Sequence, residues 1–178
     1  MADIDQSTAK ALARGEESAY ATVVDYLYRP VYHFTFHLCN DSTMAEDITQ
    51  ETFLAVWKRA VSFEGKSRFS TWVFGIAYRE FLRARKKQAV QTVPLDEHVL
   101  CAQMQSADDL ISVRDAVESL PNLYRQVVFL VYIQGFTYRE AAHVLDVPIG
   151  TLKSRMNYAF NILRDKLSEE EVPTHGLP

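Results

Sequence analysis

The chain has 178 residues, of which 48% are hydrophobic, 12% aromatic and 24% charged, and its formal net charge is -4. This composition predicts one globular core or two small ones, rich in helix. The longest apolar run, residues 127–133, is too short to span a membrane, so we expect a cytoplasmic protein. Cys39 and Cys101 belong to no CxxC pair, so we expect two reduced thiols and no disulfide framework.

The charged residues are distributed unevenly along the chain. Residues 1–57 and 89–124 carry an acidic excess, whereas residues 58–88 and 125–168 carry a basic one. Two basic segments are compatible with a nucleic-acid partner despite the low isoelectric point. The acidic segments call for a different partner.

Helical periodicity dominates the first half of the chain. Residues 20–38 predict a long amphipathic helix, interrupted only by Pro30. Thr43 and Glu46 have the spacing of a capping box, which predicts the start of a second helix. A third helix is expected from about residue 71 to residue 87. The apolar stripe of the second helix consists of Ala45, Ile48, Val56 and Ala60.

Periodicity then fades, and Pro94 lies in a stretch that we interpret as a linker. Helical signals resume over residues 108–120. Pro121 suits a first helical turn and opens another helix through residue 134, which Gly135 ends.

The next segment has the length pattern of a helix-turn-helix. Thr137 and Glu140 form a second predicted capping box. A short helix over residues 138–145 precedes a tight turn at Asp146, a residue type that tolerates a left-handed conformation. A second helix starts near Pro148, as in DNA-binding helix-turn-helix motifs.

The second helix of this motif has distinct faces. One is apolar and is expected in the core; the other is polar and flanked by cations, which suits base edges and phosphates. An ordinary surface helix is the alternative, but the preceding helix and turn favour DNA. The apolar face consists of Leu152, Met156, Ala159 and Leu163. The outward face consists of Thr151, Ser154 and Tyr158, flanked by Lys153 and Arg155.

The first basic segment, between residues 58 and 87, interleaves cations with aromatic residues. This combination suits single-stranded nucleic acid, because rings stack on bases while cations follow the backbone. We expect Phe74 and Phe81 in the core, whereas Phe69 and Trp72 fit either role. The cations are Lys66, Arg68, Arg79, Arg83, Arg85, Lys86 and Lys87.

Three stretches together resemble the extracytoplasmic-function (ECF) class of RNA polymerase sigma factors. They are "YRPVYHFTFHLCNDSTMAEDITQETFLAVW", "FSTWVFGIA" and "LPNLYRQVVFLVYIQGFTYREAAHVLDVPIGTLKSRM". The resemblance implies an all-α fold of two small helical domains joined by a flexible linker, the second domain a helix-turn-helix. It implies a region 2 domain at 1–88, a linker at 89–107, a region 4 domain at 108–168 and an acidic tail at 169–178.

The resemblance also implies partners and sites. Core RNA polymerase would be bound through its beta-prime clamp helices and beta flap, promoter DNA at its minus-10 and minus-35 elements, and a separate anti-sigma factor would inhibit the chain. The clamp-docking residues would be Glu46, Asp47, Gln50 and Glu51. The minus-10 residues would be Lys66, Ser67, Arg68, Phe69, Trp72, Tyr78, Arg79 and Arg83. The minus-35 residues would be Tyr138, Arg139, Thr151, Lys153, Ser154, Arg155 and Tyr158.

The chain departs from the family pattern at two places. Arg79 stands where the family commonly has an Asn that reads a flipped base, so the preferred base is open. Tyr158 and Phe160 stand where the family usually continues with arginines. We therefore expect weaker phosphate contact from this helix.

Other classes of function have less support. His33 and His37 share a helical face near Cys39, but no HExxH motif or further ligand accompanies them. No phosphate loop or catalytic triad order is present, so no enzyme and no cofactor is indicated. A helix-turn-helix regulator that does not bind core polymerase is the alternative, and it does not account for residues 1–107.

Overall fold

The computed structural model of the chain describes Ile4, residues 6–91 and residues 113–168. Within those residues the secondary structure is helical and contains no strand, which confirms the predicted all-α fold. Residues 92–112, which include most of the predicted linker, and the predicted acidic tail lie outside the described residues. The first-domain helices are α1 Gln6–Ala13, α2 Glu17–Cys39, α3 Ser42–Arg59 and α4 Phe69–Gln91. The second-domain helices are α5 Val113–Glu118, α6 Asn122–Val128, α7 Tyr138–Val144 and α8 Ile149–Ser168.

The junction of α2 and α3 corrects one sequence prediction. Asn40 ends α2 in a left-handed conformation with φ of 54°, and Asp41 then caps α3 through its side chain, which accepts a hydrogen bond from the Met44 amide at 2.8 Å. The predicted capping box at Thr43 and Glu46 is therefore wrong, because both residues already lie inside the helix. Asp is among the residues most favoured at this position.

Several predicted elements extend further than expected. Pro30 lies inside α2 without ending it, although it contributes no amide hydrogen. Helix α4 continues to Gln91 and so includes the first residues of the predicted linker. Pro121 is the N-cap of α6 and not, as predicted, a residue of its first turn. A π-helical turn, Phe129–Ile133, follows α6, and Gly135, which has φ of 70°, comes two residues later.

The first domain packs α2, α3 and α4 around a shared core, with α1 against α2 and against the short 3-10 helix that follows α3. The predicted stripe of α3 is fully on the inside. Thr35 and Thr49 are also buried, and their hydroxyls hydrogen-bond each other at 3.0 Å, so the polar groups enclosed between α2 and α3 are satisfied. This packing fixes which faces of α3 and α4 remain exposed.

The two domains lie against each other rather than apart. Helix α4 contacts α7, and α2 contacts α6. Phe34 stacks on Phe129 with ring centroids 6.0 Å apart, and the Asn122 side-chain amide donates a hydrogen bond to the Leu38 carbonyl. The buried residues of both domains consequently form one continuous hydrophobic core. Sequence alone left the relative orientation of the domains open.

Candidate nucleic-acid and polymerase interfaces

The helix-turn-helix is built as its sequence predicts. The Thr137 hydroxyl accepts a hydrogen bond from the Glu140 amide, and the Glu140 carboxylate accepts one from the Thr137 amide at 2.8 Å, which completes the capping box of α7. The turn after α7 is tight because Asp146 adopts a left-handed conformation with φ of 51°. Helix α8 then begins at Ile149.

Helix α8 buries its predicted apolar face. Leu152, Met156 and Ala159 are at most 1% exposed, and Leu163 is half-buried. On the opposite side Lys153, Ser154 and Tyr158 are exposed, whereas Thr151 and Arg155 are half-buried. The predicted outward face of α8 is therefore accessible to solvent, and most of its side chains are polar or charged.

Two predicted minus-35 residues precede α8. Arg139 is exposed, and Tyr138 is half-buried. Burial raises the pKa of the Tyr138 hydroxyl, and the neighbouring Tyr132, which hydrogen-bonds it, raises it further.

Helix α4 presents the cations of the first basic segment. Arg79, Arg83, Arg85, Lys86 and Lys87 are all exposed, and Phe74 and Phe81 are buried as predicted. Arg83 is paired within the helix to Glu80 at 2.8 Å. The Arg79 guanidinium lies near Gly75, since a side chain added at Gly75 would come within 3.8 Å of it.

An aromatic cluster stands where α4 begins. Phe63, Phe69 and Trp72 meet with ring centroids between 5.1 and 5.4 Å apart. Phe69 is only 2% exposed and belongs to the core in this conformation, whereas Trp72 is half-buried. The sequence left both roles open for these two residues.

A cleft of about 280 Å³ lies beside this cluster. The predicted minus-10 residues Ser67 and Arg68 line it, and Ile4 and Gln6 close it from the N-terminal segment. The N-terminal segment contains no motif from which this position could have been predicted. Lys66 is exposed nearby, paired with Glu64.

The Arg68 guanidinium is already paired with a carboxylate of the other domain. Its Nε donates to Glu140 Oε1 at 2.5 Å and its Nη2 to Glu140 Oε2 at 2.9 Å, so the pair is bidentate and joins the two domains. Burial raises the pKa of the Glu140 carboxyl, but hydrogen bonds from Arg68 and Thr137 outweigh it and hold the pKa below its ordinary value. Glu140 was expected only as a helix cap.

Tyr78 is a second minus-10 residue close to the other domain. Burial raises the pKa of its hydroxyl, opposed by the positive charges of Arg155 and Arg85, and the negative charge of Asp146 raises it again. Arg155 and Asp146 belong to the helix-turn-helix. The two predicted DNA-binding surfaces are therefore neighbours in this conformation.

The predicted docking residues of α3 form an exposed surface. Glu46, Asp47, Gln50 and Glu51 all face outward, away from the buried stripe. Leu54 is 47% exposed one turn further along the same helix, so the surface combines negative charge with an apolar side chain. Leu54 was not among the predicted docking residues, although its spacing from Gln50 and Glu51 places it on their face.

The histidines of α2 do not form a metal cluster. Among the described residues no group of three or more His, Cys, Asp or Glu side chains could hold a metal ion. His33 is exposed, and the His37 ring lies on Phe129 with centroids 4.6 Å apart.

Burial raises the pKa of the Cys39 thiol, which lies within hydrogen-bonding distance of the backbone carbonyls of Thr35 and Asp41. No described helix is both long and apolar enough to cross a membrane.

Both domains match models of the same protein family. The model of Sigma-70 region 2 matches residues 23–90, and that of Sigma-70 region 4 matches residues 110–160. The chain is 30% identical over 169 residues to the ECF RNA polymerase sigma factor SigK of Mycobacterium ulcerans, covering 89% of this chain and 90% of the relative. It is 26% identical over 177 residues to SigW of Bacillus subtilis, covering 90% and 95%.

Solved structures agree in fold. The sigma factor RpoE in complex with the anti-sigma factor NepR, from Bartonella quintana, matches with a TM-score of 0.64 and 26% identity, covering 86% of this chain and 98% of that one. CnrH in complex with the cytosolic domain of CnrY matches with a TM-score of 0.67 at 20% identity, covering 94% and 99%.

Two helical domains, one with a helix-turn-helix and one with a basic aromatic segment, thus define a transcription initiation factor. The chain belongs to the ECF family of RNA polymerase sigma factors. The alternative of a helix-turn-helix regulator unrelated to polymerase has no support from these relatives.

Proposed function

We propose that the chain binds core RNA polymerase through the exposed surface of α3 and directs it to promoters through α4 and the helix-turn-helix. The observation that supports this assignment best is the separation of charge. Acidic side chains cover one exposed face of α3, whereas cations cover the exposed face of α4. DNA repels the first surface and attracts the second, so the first surface is assigned to a protein partner and the second to DNA.

The docking surface on α3 comprises Glu46, Asp47, Gln50 and Glu51, with Leu54 as an apolar anchor. Exposed charges of this kind steer association, whereas an apolar side chain contributes by losing water on contact. Its occupant is the clamp-helix region of the beta-prime subunit, as the family resemblance implies. The beta flap is the second contact, made by the C-terminal domain.

The minus-10 element is captured by the loop before α4 and by the exposed side of α4. The captured base is assigned to the cleft beside Phe63, which Ser67 and Arg68 line. Unstacking a base costs a few kcal/mol, which a prepared pocket offsets by stacking and hydrogen bonds. Arg79, with Lys66, Trp72, Tyr78 and Arg83, contacts the melted strand.

The minus-35 element is read by α8 in the major groove. Ser154 and Thr151 face base edges, while Lys153, Arg155 and Arg139 contact phosphates. Tyr138 and Tyr158 complete the surface. Initiation takes place in the cytoplasm with core polymerase, and an anti-sigma factor, of the kind bound to the B. quintana relative, controls it.

Transcription in vitro from a genomic DNA pool tests the assignment. Bacterial core polymerase is used with and without the purified chain, and the RNA start sites are mapped. New starts that share two upstream elements are expected; no binding to core polymerase and no new starts would refute the assignment. The same reaction tests control by a separate inhibitor, since a pure chain without promoter activity leaves nothing for an inhibitor to remove.

The docking surface is tested with charge reversal. Asp47→Lys is expected to weaken binding to core polymerase, because it places a cation in the centre of the acidic face. Asp25→Lys is the matched control, since Asp25 is exposed on α2 and outside that face. Equal loss of binding in both variants would show that net charge, and not this surface, governs the interaction.

A further inference from the structure

The ion pair between Arg68 and Glu140 is more enclosed than the exposed pair between Arg14 and Glu16. The two side chains are 33% and 19% exposed, against 64% and 46% for Arg14 and Glu16. Arg68 Nε donates to Glu140 Oε1 and Arg68 Nη2 donates to Glu140 Oε2, so the pair is bidentate. Bidentate pairs of this kind are stronger and more geometrically specific than single contacts.

The Glu140 carboxylate is also held by the helix cap. Its Oε2 accepts hydrogen bonds from the Thr137 amide and hydroxyl, each at 2.8 Å. On the other side of the pair, the Arg68 guanidinium lies 5.2 Å from the centroid of the Phe136 ring, within the range of a cation–π contact. The pair therefore loses less side-chain entropy than a flexible surface pair.

The pair also joins the two surfaces that would bind DNA. Arg68 lines the cleft in the first domain, and Glu140 lies in α7, next to Arg139 of the predicted minus-35 surface. Tyr78 of α4 lies near Arg155 of α8 in the same interface. A promoter strand that contacted the Arg68 guanidinium would have to displace Glu140 from it.

We propose that the Arg68–Glu140 pair is an intramolecular latch that holds the free chain in a closed state unable to bind the two promoter elements together. The carboxylate of Glu140 occupies the guanidinium that would otherwise contact a nucleic-acid phosphate or base. Opening separates α4 from α7 and exposes both surfaces. This inference rests on the proposed function for its meaning, but the latch can be measured without polymerase or DNA.

Apolar contacts contribute to the closed state as well. Phe34 with Phe129 and Phe74 with Phe136 bring aromatic rings of the two domains together. The Arg68–Glu140 pair therefore adds to the stability of a hydrophobic interface and shifts the equilibrium between open and closed chains towards the closed state. Because the pair is partly exposed, its loss is expected to raise the ratio of open to closed chains by roughly threefold to tenfold.

The experiment measures an interdomain distance in the full chain. Spin labels are placed at Asp25→Cys on α2 and Asp165→Cys on α8, both exposed, after replacement of Cys39 and Cys101 by Ser. The unmodified pair is expected to give one narrow distance distribution. Glu140→Gln, which keeps a side chain able to accept the capping hydrogen bond, is expected to add a longer and broader component.

Two further variants make the result specific. Glu80→Gln removes the carboxylate of an ion pair within α4 and is expected to leave the distances unchanged. Arg68→Gln opens the chain from the other domain, where no helix cap is affected. Arg68→Gln, Glu140→Gln and the double variant are expected to show the same degree of opening, as in a double-mutant cycle for a directly coupled pair.

Three results would overturn the latch. One is an unchanged distance distribution in Glu140→Gln; another is equal opening in Glu80→Gln; the third is additive opening by the two single variants. Start-site mapping with core polymerase separates the two proposals. If neither the unmodified chain nor Glu140→Gln creates starts, the sigma assignment fails whatever the distances show. If the unmodified chain creates starts while Glu140→Gln leaves the distances unchanged, only the latch fails.

Discussion

The ring of Phe136, in the turn before α7, meets the ring of Phe74 in α4 nearly edge-on, with centroids 5.1 Å apart. Phe74 is fully buried and Phe136 is 2% exposed. This contact places the helix-turn-helix directly on the helix that would capture the minus-10 element. An aromatic pair in this geometry is stabilising beyond the area that it buries.

Phe136→Ala should therefore lower the free energy of unfolding of the closed chain by about 3 kcal/mol or more, because a large buried ring is lost and a cavity remains. Urea unfolding followed by circular dichroism measures this. Val61→Ala is the matched control, since Val61 is 79% exposed and its truncation should cost within about 0.5 kcal/mol. Similar losses in both variants would contradict the buried contact.

Asp41→Ala should cost about 1 kcal/mol, since it removes the acceptor of the Met44 amide at the start of α3. Thr43→Ala should cost much less, because Thr43 is exposed inside the first turn. Thermal unfolding of both variants distinguishes them. A larger loss of stability in Thr43→Ala than in Asp41→Ala would instead support the capping box that the sequence predicted.

The contribution of Glu140 should depend on pH. Because its pKa is held below the ordinary value, the stabilisation is fully present above the pKa of the unfolded chain and is lost as the pH falls through the lower folded pKa. Unfolding free energies of the unmodified chain and Glu140→Gln should therefore differ at neutral pH and converge in acid. A difference that persists at low pH would exclude a role for the ionised carboxylate.

The turn of the helix-turn-helix should respond to backbone preference. Asp146 has φ of 51°, which glycine adopts without cost and β-branched residues avoid. Asp146→Gly should leave stability unchanged or raise it slightly, whereas Asp146→Val should lower it by about 1 kcal/mol or more. Thermal unfolding gives both values, and equal melting temperatures for the two variants would argue against a strained turn.

Tyr158→Arg should strengthen phosphate contact by α8. Tyr158 is 60% exposed on the outward face, with its ring 6.0 Å from Tyr124. An added phosphate contact should steepen the dependence of log affinity on log salt by about 0.9. Binding of the polymerase-bound chain to promoter DNA at several salt concentrations measures the slope, and an unchanged slope would show that this position faces away from the backbone.

The sequence predicted those features that depend on neighbouring residues in the chain. Leu152, Met156 and Ala159 recur at helical spacing, so their burial followed from periodicity alone. The Thr137–Glu140 cap and the left-handed Asp146 are equally local. The N-cap of α3 was misassigned because Asp41 and Thr43 are both suitable caps, and the left-handed turn at Asn40 selects Asp41.

The sequence by itself thus determined the helices, their buried faces and the family, because these depend on short-range spacing and on motifs of fixed order. Only the tertiary structure decided that the domains close on each other and that Arg68 pairs with Glu140, 72 residues away. Charged residues of both signs are plentiful along the chain, so spacing cannot select one pair among many. The pair forms because the packing of Phe34, Phe74, Phe129 and Phe136 brings α4 and α7 together.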